Sequence, residues 1–440
     1  VGGGTWDDLT DRIGGVPDGT WIPHIEASKH DSATAYVVFE DHRRGNWETY
    51  LYRTEDYGDD WDNIGRRTAI DGFLHTVEED PVTPNLLFAG GEFGLWVSLD
   101  RGEEWFKWSH GFPPAPVRSL TIHPRDHDLV IGTHGRALWV LDDIRPLRAL
   151  AQNPNLTADT VHLFEAPVAY LRTTAAVDGY HFSGDAMFQG ETRLPGALLT
   201  FWVGVDSAGT AELTVTDESG NAVRTFTVPA DRGLNRVAWD LREDAPSGGS
   251  QGGQGRGRFR ARAPEVLPGA YVVRVSVKGS SAERPVAVLP DPRVDVPMEE
   301  RREKYEALRT SLELSTRLSA VQRAAQEVRD GLDRVGEALG DREDEAAVAL
   351  RQAAQELGRG LTAASSADEV NTYRRGVGSL AGSYDRPTEG QVLDLRRMEE
   401  ALVRLETAMN EFLAGSVADF RRQVADANLD IFPNPGSVGR

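Results

Sequence analysis

The sequence contains no cysteine and only four lysines among its 440 residues. Without cysteine the chain can form neither disulfide bonds nor a thiolate metal site, and a cysteine nucleophile is excluded. Because lysine is so rare, arginine supplies nearly all of the positive charge. No window approaches the roughly 18 apolar residues of a membrane span, and no charged-then-apolar signal segment opens the chain.

The charge is strongly one-sided. Aspartate and glutamate number 69 against 48 lysines and arginines, which gives a formal net charge of -21. This negative field disfavours nucleic acid and anionic membrane surfaces as partners. With 40% hydrophobic and 27% charged residues the composition is that of a globular protein. The length is sufficient for about two to four domains.

No motif indicates a cofactor or a metal. His123 and His127 lie four residues apart, but Pro124 argues against the helix that would align them on a metal ion. The glycine-rich residues 248–257 lack the lysine and the following helix of a phosphate-binding loop. We therefore expect neither a metal site nor a nucleotide site.

Two turns repeat one motif, in which a hydroxyl residue, an aspartate, a glycine and a tryptophan keep the same spacing. The members are Thr54, Asp56, Gly58 and Trp61 in the first copy and Ser98, Asp100, Gly102 and Trp105 in the second. The glycine permits a positive φ, the hydroxyl and carboxylate can bond to nearby backbone N–H groups, and the tryptophan anchors the next strand. The expected role of this Asp-box motif is structural.

The repeat length predicts β-propeller blades. The two tryptophans lie 44 residues apart, from Trp61 to Trp105, within the range of about 40 to 50 residues for a four-stranded blade. Residues 87–97 also match residues 130–140, and an earlier copy is visible at 35–52. We expect about three blades between residues 15 and 147.

Three blades do not close a ring, because propellers need about four to eight. Residues 3–6 have the spacing of the end of a further Asp-box. The sequence therefore predicts an incomplete ring, with missing blades from the same precursor or from another chain as partners.

These motifs resemble the C-terminal portion of bacterial and archaeal proteins with sortilin-like Asp-box (BNR) repeat β-propellers, often labelled glycosyl hydrolases. Residues 132–143 carry the closest resemblance, to the last blade of that family. The resemblance implies an extracellular or cell-envelope location. It leaves the activity open, because similar propellers perform different functions.

The pattern changes after the propeller segment, residues 1–148. Residues 149–296 contain short alternating runs, such as 211–216 and 270–277, that predict a β-sandwich. Residues 235–240 and 268–271 resemble the immunoglobulin-like module of flagellar hook-cap proteins. The glycine-rich residues 247–257 are expected to form a protruding loop of this domain.

Residues 297–430 show helical periodicity, with apolar residues at alternating spacings of three and four from Tyr305 to Leu339 and again from Leu395 to Phe412. Capping-box spacing at Ser366 and Thr388 predicts helix starts near 367 and 389. We expect an antiparallel bundle of about four helices, followed by a tail at 431–440. A dimerising coiled coil is the alternative, and breaks at 336–341 and 358–366 favour folding back.

Candidate ligand contacts lie in the turns before the third strand of each blade. In an up-and-down blade these turns lie on the face opposite the Asp-boxes. These turns begin with Glu40 and Asp41 in the first blade, and the residues proposed for this surface are His42, Arg43, Arg44, Trp47, Glu92, Phe93, His134 and Arg136. The structural alternative is that these are solvated turns, in which His134 and Arg136 brace Asp142 or Asp143.

Two functions remain open. The favoured one is a non-catalytic binding or assembly protein whose propeller presents a recognition face to a protein or carbohydrate. The other is the C-terminal part of a secreted glycoside hydrolase whose main catalytic residues lie outside this chain. Such an enzyme needs two carboxylates separated by about 5 to 9.5 Å, and Asp41 and Glu92 are the pair nominated here. A sialidase is disfavoured, because no Tyr/Glu pair is identifiable.

Overall fold

The computed structural model describes residues 4, 6–67, 70–171, 193–206, 209–244, 263–382 and 385–427. The glycine-rich tract 247–257 and the tail 431–440 lie outside the described residues. The described chain is mostly β-sheet, with one sheet curled into a half-barrel, and ends in a helical region of four helices. The expected order of β structure followed by helices is thereby confirmed, whereas the boundaries of the predicted domains stay predictions.

Three antiparallel sheets, each built from consecutive strands, come first. The first sheet contains β1 (Trp21–Ala27), β2 (Ala35–Glu40), β3 (Tyr50–Thr54) and β4 (Asp62–Asn63). The second contains β5 (Leu74–Glu79), β6 (Leu87–Gly91), β7 (Gly94–Ser98) and β8 (Phe106–Trp108). The third contains, among the described residues, β9 (Val117–Ile122), β10 (Leu129–Thr133) and β11 (Leu138–Leu141).

The two repeated turns have the same hydrogen bonds. In the first, the Thr54 hydroxyl donates to the Asp56 carboxylate at 2.8 Å and accepts the N–H of Gly58 at 2.9 Å. In the second, Ser98 repeats both bonds at 2.8 Å each. The glycine φ is 90° in the first turn and 93° in the second, a conformation that favours glycine. The motif thus builds one turn twice.

Each sheet packs one face against its neighbour. Alternate residues of β2 point to opposite faces, so that Tyr36 and Val38 enter the core shared with the second sheet while Val37 and Phe39 face the other way. The core shared by the first two sheets consists of Tyr36, Val38, Leu51, Ile64, Ile70, Leu74, Val77, Leu87, Ala89, Trp96 and Trp105. The core shared by the second and third sheets also contains Ile144, Leu147 and Ala151, at or next to helix α1 (Arg145–Gln152).

The segment before β1 packs on the first repeated turn. A Cβ atom at Gly58 would lie 2.6 Å from the Leu9 side chain, and one at Gly102 would lie 2.7 Å from Ile64. Leu9 therefore packs on the repeated turn of the first sheet in the same way as Ile64 packs on the repeated turn of the second sheet. Both contacts require glycine, because real Cβ atoms do not approach so closely.

The outermost faces of the three-sheet stack carry exposed apolar side chains. Ile25 of β1 is 65% exposed, and Leu138 and Val140 of β11 are 64% and 49% exposed. Side chains at equivalent places between the sheets are buried. Exposed apolar side chains are therefore present at both ends of the stack, while on the outer face of the first sheet Val37, Phe39, Tyr50 and Tyr52 are buried with Ile13, Val16 and Trp61 packed against them.

Eight further strands form two sheets that share one apolar core. Their bounds are β12 (Val161–Leu163), β13 (Ala169–Leu171), β14 (Ala197–Val203), β15 (Gly209–Thr216), β16 (Ala222–Ala230), β17 (Gly233–Trp239), β18 (Gly269–Val277) and β19 (Ser280–Pro290). The strand orders are β12-β14-β17 and β13-β19-β18-β15-β16. Trp239 and Tyr271 meet in this core with ring centroids 5.3 Å apart.

The helical region has a single apolar core. Its helices are α2 (Met298–Leu339), α3 (Glu345–Ala364), α4 (Asp368–Val377), α5 (Glu389–Phe412) and α6 (Ala418–Asp426). A π-helical turn, Leu413–Val417, joins α5 to α6, so that the two form one continuous helix and the region has four helices in all. None of the helices in the described part of the chain is both long and apolar enough to cross a membrane.

The predicted helix starts agree with the structure to within one residue. Thr388 and Gln391 form the capping box expected at the start of α5. At the start of α4 the Ser366 hydroxyl instead bonds the Asp368 carboxylate at 3.0 Å, and no side chain caps the helix. The helix break expected within residues 358–366 occurs only at the end of that range, because α3 continues to Ala364.

We expect the two repeated tryptophans to differ in their contribution to stability. Trp105 is buried and its indole N–H donates to the Ile64 carbonyl at 3.1 Å, whereas the half-buried Trp61 donates to Gly58 in its own turn. Trp105→Ala should lower the free energy of unfolding by about 3 to 5 kcal/mol. Trp61→Ala should lower it by about 1 to 2 kcal/mol. Urea unfolding followed by circular dichroism measures both, and equal losses would contradict the prediction.

Candidate functional site

Two carboxylates face opposite nitrogens of one histidine. Nδ1 of His75 lies 2.7 Å from the Glu40 carboxylate, and Nε2 lies 3.1 Å from the Glu92 carboxylate. His75 and Glu40 are buried, whereas the Glu92 side chain is 27% exposed. The histidine therefore connects a buried acid to a partly accessible one.

Arg118 completes this group of charges. Its guanidinium lies 4.0 Å from the Glu40 carboxylate, 3.9 Å from the Glu92 carboxylate and 3.1 Å from Nδ1 of His75. An ionised carboxylate can only accept hydrogen bonds, and a buried one needs donors. A neutral imidazole donates through one nitrogen only, so that His75 donates to one of the two glutamates, and Arg118 lies beside the ring as a cation between both acids. Glu40, His75, Glu92 and Arg118 are called the polar cluster below.

The repeat explains why these four residues meet. Glu40 ends β2 and Glu92 directly follows β6, which are equivalent places in the first two sheets. His75 and Arg118 are the second residues of β5 and β9, the first strands of the second and third sheets. Because the first strand of each sheet packs on the preceding sheet, its second residue reaches the acid at the end of the neighbouring second strand.

Aromatic rings adjoin the polar cluster. Phe73 is buried, stacks on His42 with ring centroids 4.5 Å apart, and contacts Trp47 at 5.2 Å and His75 at 5.0 Å. Trp47 also lies nearly parallel to Phe93, at 6.2 Å and an angle of 15°. Trp47 is 51% exposed and Phe93 40% exposed. These two rings, the aromatic ledge, form an accessible apolar surface next to the accessible edge of the polar cluster.

Asp41, the other nominated carboxylate, has different partners. It is buried, accepts from Nε of Arg44 at 2.6 Å and accepts from Asn46 at 3.2 Å. The Arg44 hydrogen bond is the main reason that the pKa of Asp41 lies below its usual value. Arg44 also bonds the carbonyl of Asp18 at 2.8 Å. Asp41 and Arg44 thus organise the 3₁₀ turn His42–Arg44 and its neighbouring loop.

The remaining predicted contacts are only partly brought together. Nδ1 of His42 lies 2.8 Å from the Glu40 carboxylate, which joins His42 to the edge of the polar cluster. Arg43, His134 and Arg136 are exposed. The structure gives the side chains of these three residues no hydrogen bond or ion pair within the described ranges.

Three residues of this site, Phe73, His75 and Arg118, are missing from the sequence-based candidates. A usable signal was present: His75 and Arg118 are basic residues at the same place in two consecutive repeats, each directly after an apolar first residue of the strand. Comparison of the first strands, in addition to the turns, would have found both residues.

Two partly exposed polar groups of opposite charge lie beside exposed aromatic rings at this site. Glu92 offers an accepting group and Arg118 a donating group, both partly exposed, beside the aromatic ledge. Pockets that combine apolar walls with a few polar groups are typical of ligand sites. In the described residues no group of three or more histidine, aspartate or glutamate side chains could hold a metal ion.

The two glutamates of the polar cluster should differ in their importance for stability. Glu40→Gln removes a buried charge with two histidine neighbours and should lower the free energy of unfolding by about 1.5 to 3 kcal/mol. Glu92→Gln removes a more exposed charge and should cost less than about 1 kcal/mol. Urea titration of the two isosteric variants measures the difference. A greater loss for Glu92→Gln would show that the buried acid is not the structural one.

Comparisons with known proteins give structural likenesses alone. No family model matches the sequence, and no curated protein matches it. The crystal structure of the GH74 xyloglucanase from Xanthomonas campestris is similar to 48% of this chain, at 12% sequence identity and a TM-score of 0.20. The matched part covers 29% of that enzyme chain.

Proposed function

We propose that this chain is a non-catalytic binding protein whose repeated β-sheets are propeller blades that present a recognition face. The observation that carries the proposal is the position of the aromatic ledge, Trp47 and Phe93, beside the accessible acid and base of the polar cluster. Exposed apolar side chains that lie together and are bordered by polar residues mark interaction sites more often than singly exposed ones do. A turn that was merely solvated would need neither ring.

The ligand class that fits this surface best is a saccharide. A sugar ring has an apolar C–H face that can lie on an aromatic ring, and hydroxyls that both donate and accept. Glu92 would accept from such hydroxyls and Arg118 would donate to them. Charge-assisted hydrogen bonds of this kind are stronger than neutral ones.

Hydrolysis by the polar cluster is the less favoured alternative. A glycosidase places its substrate between two carboxylates separated by about 5 to 9.5 Å. Here the imidazole of His75 lies between Glu40 and Glu92 and is within hydrogen-bonding distance of both. Asp41 is engaged by Arg44 and Asn46. Catalytic residues of a hydrolase would then lie outside this chain.

The proposal includes a propeller ring completed by further blades. The completed ring is supported by the exposed apolar side chains of Ile25, Leu138 and Val140. Side chains at the equivalent places between the sheets are buried. Blades with the same repeat, from this precursor or another chain, would cover these faces. The two sheets that follow would form the immunoglobulin-like sandwich. Together with the helical bundle it would dock the propeller within a larger assembly, in an extracellular or cell-envelope location.

Saccharide binding can be tested by titrating the chain with a panel of soluble oligosaccharides in a calorimeter. Trp47→Ala and Phe93→Ala should each weaken binding by about tenfold, which corresponds to about 1.4 kcal/mol of lost contact. Phe106→Ala is the matched control, because Phe106 is 41% exposed on β8, away from the ledge. Binding that is unchanged in both ledge variants would refute the proposed site.

The same panel separates binding from catalysis. Reducing ends are measured after incubation with wild type and with Glu92→Gln. We expect no new reducing ends with either protein. Release of reducing ends by the wild type that Glu92→Gln abolishes would establish the hydrolase alternative instead.

Ring completion gives a prediction of its own. Residues 1–153, which keep the whole of α1, should aggregate or unfold without cooperativity when produced alone, because Ile25, Leu138 and Val140 leave apolar surface exposed at the ends of the stack. Residues 154–440 serve as the comparison and should remain monodisperse. Size-exclusion chromatography and thermal unfolding measure both fragments. A monodisperse first fragment with a sharp transition would show that the three sheets need no further blades.

A further inference from the structure

Two residues directly before β5, Gly72 and Phe73, contact both rings of the aromatic ledge. The ring of Phe73 meets that of Trp47 edge to face, with centroids 5.2 Å apart. A Cβ atom at Gly72 would lie 2.8 Å from Cε2 of Phe93. One ledge ring therefore lies on an aromatic side chain, and the other lies on bare backbone.

The backbone of the same two residues holds the segments that carry the ledge. The carbonyl of Phe73 accepts the N–H of Glu92 at 3.1 Å, and the carbonyl of Gly72 accepts the hydroxyl of the buried Thr49 at 2.5 Å. Glu92 and Thr49 each lie within two positions of a ledge residue in the sequence. Each ring is thus fixed twice, by a direct contact and by a hydrogen bond to its own segment.

A side chain at position 72 would displace the ring of Phe93. Gly72 has a φ of 72°, a conformation that favours glycine, and a Cβ contact of 2.8 Å is closer than real Cβ atoms approach. The contacted atom is at the end of a side chain that is 40% exposed, so that the ring can give way while the backbone stays in place.

Gly111 shows that the close contact is particular to Gly72. It lies in the loop between β8 and β9, as Gly72 lies in the loop between β4 and β5. Its φ of 65° is similar, but a Cβ atom there would meet no atom of the described residues within 4 Å. The two glycines therefore share a backbone conformation, and only Gly72 supports an aromatic ring.

We propose that Gly72 and Phe73 are positioning residues, which hold the two rings of the aromatic ledge in place for a ligand. Phe73 is only 2% exposed and acts through Trp47, whereas Gly72 acts through Phe93. Their part in binding rests on the proposed function, in which the ledge receives the saccharide. Rings that are already ordered lose less conformational freedom on binding, which strengthens affinity.

The first test needs no ligand. The indole N–H signal of Trp47 is followed by nuclear magnetic resonance in the full chain, and because the chain has ten tryptophans, Trp47→Phe identifies this signal. Aromatic neighbours set the shift of nearby protons through their ring currents. Gly72→Ala and Phe73→Leu should therefore each move the Trp47 signal, and Gly111→Ala, the matched control, should leave it unchanged. Circular dichroism establishes that all variants are folded.

The second test is calorimetric titration with a saccharide that binds the wild type. Gly72→Ala should weaken binding by about tenfold, as expected for Phe93→Ala, and Phe73→Leu by about threefold. When Phe93→Ala is already present, adding Gly72→Ala should weaken binding by less than about twofold, because the ring that it displaces is gone. Gly111→Ala should bind like the wild type.

The two tests separate this proposal from the proposed function. A Trp47 signal that neither Gly72→Ala nor Phe73→Leu moves would overturn the positioning role, and so would losses of affinity for Gly72→Ala and Phe93→Ala that simply add. If the wild type binds no saccharide, the proposed function fails, and the Trp47 signal still decides whether the two residues hold the ledge.

Discussion

The β-sheets at the start of the chain depend on one constraint, which is that a sheet with two apolar faces must have both faces covered. The first strand of each sheet does this for the preceding sheet, so that Leu74 and Val77 of β5 enter the core of the first sheet. The same packing brings His75 against Glu40 and Arg118 against Glu92. The polar cluster is thus a consequence of how apolar faces are buried, and its geometry is as rigid as that core.

The end of the sheets opposite the polar cluster contains buried charged groups that already have hydrogen-bonding partners. The fully buried carboxylate of Asp80 accepts the N–H of Thr83 at 2.7 Å and Nε of Arg148, from α1, at 2.8 Å. Glu79, equally buried, accepts the hydroxyl of Tyr36 at 2.9 Å. Buried acids with complete partners stabilise a fold and leave nothing for a ligand. At the other end of the sheets, the aromatic ledge lies beside polar groups that are partly exposed.

Polar contacts also join the successive parts of the chain. Arg236 of β17 donates to the backbone carbonyls of Asp142, at 2.5 Å, and Asp143, at 2.8 Å. Tyr305 of α2 bonds the carboxylate of Glu243, and burial together with that acid raises the pKa of Tyr305 to about 12.

Local chemistry in the sequence determined the repeated turns and the helix starts. The hydroxyl, aspartate and glycine of each turn bond to one another within five residues, and Thr388 caps α5 through Gln391, three residues away. The order of sheets followed by four helices also follows from periodicity, whereas blades and an immunoglobulin-like sandwich remain predictions. Tertiary structure alone decided that Glu40, rather than its neighbour Asp41, joins the site, because Glu40 is the last residue of β2 and meets His75 of the next sheet, whereas Asp41 belongs to the following turn and accepts from Arg44. Tertiary structure likewise brought His75 to Glu40, 35 residues away, and Arg118 to His75, 43 residues away. Such contacts arise only when one sheet covers the next.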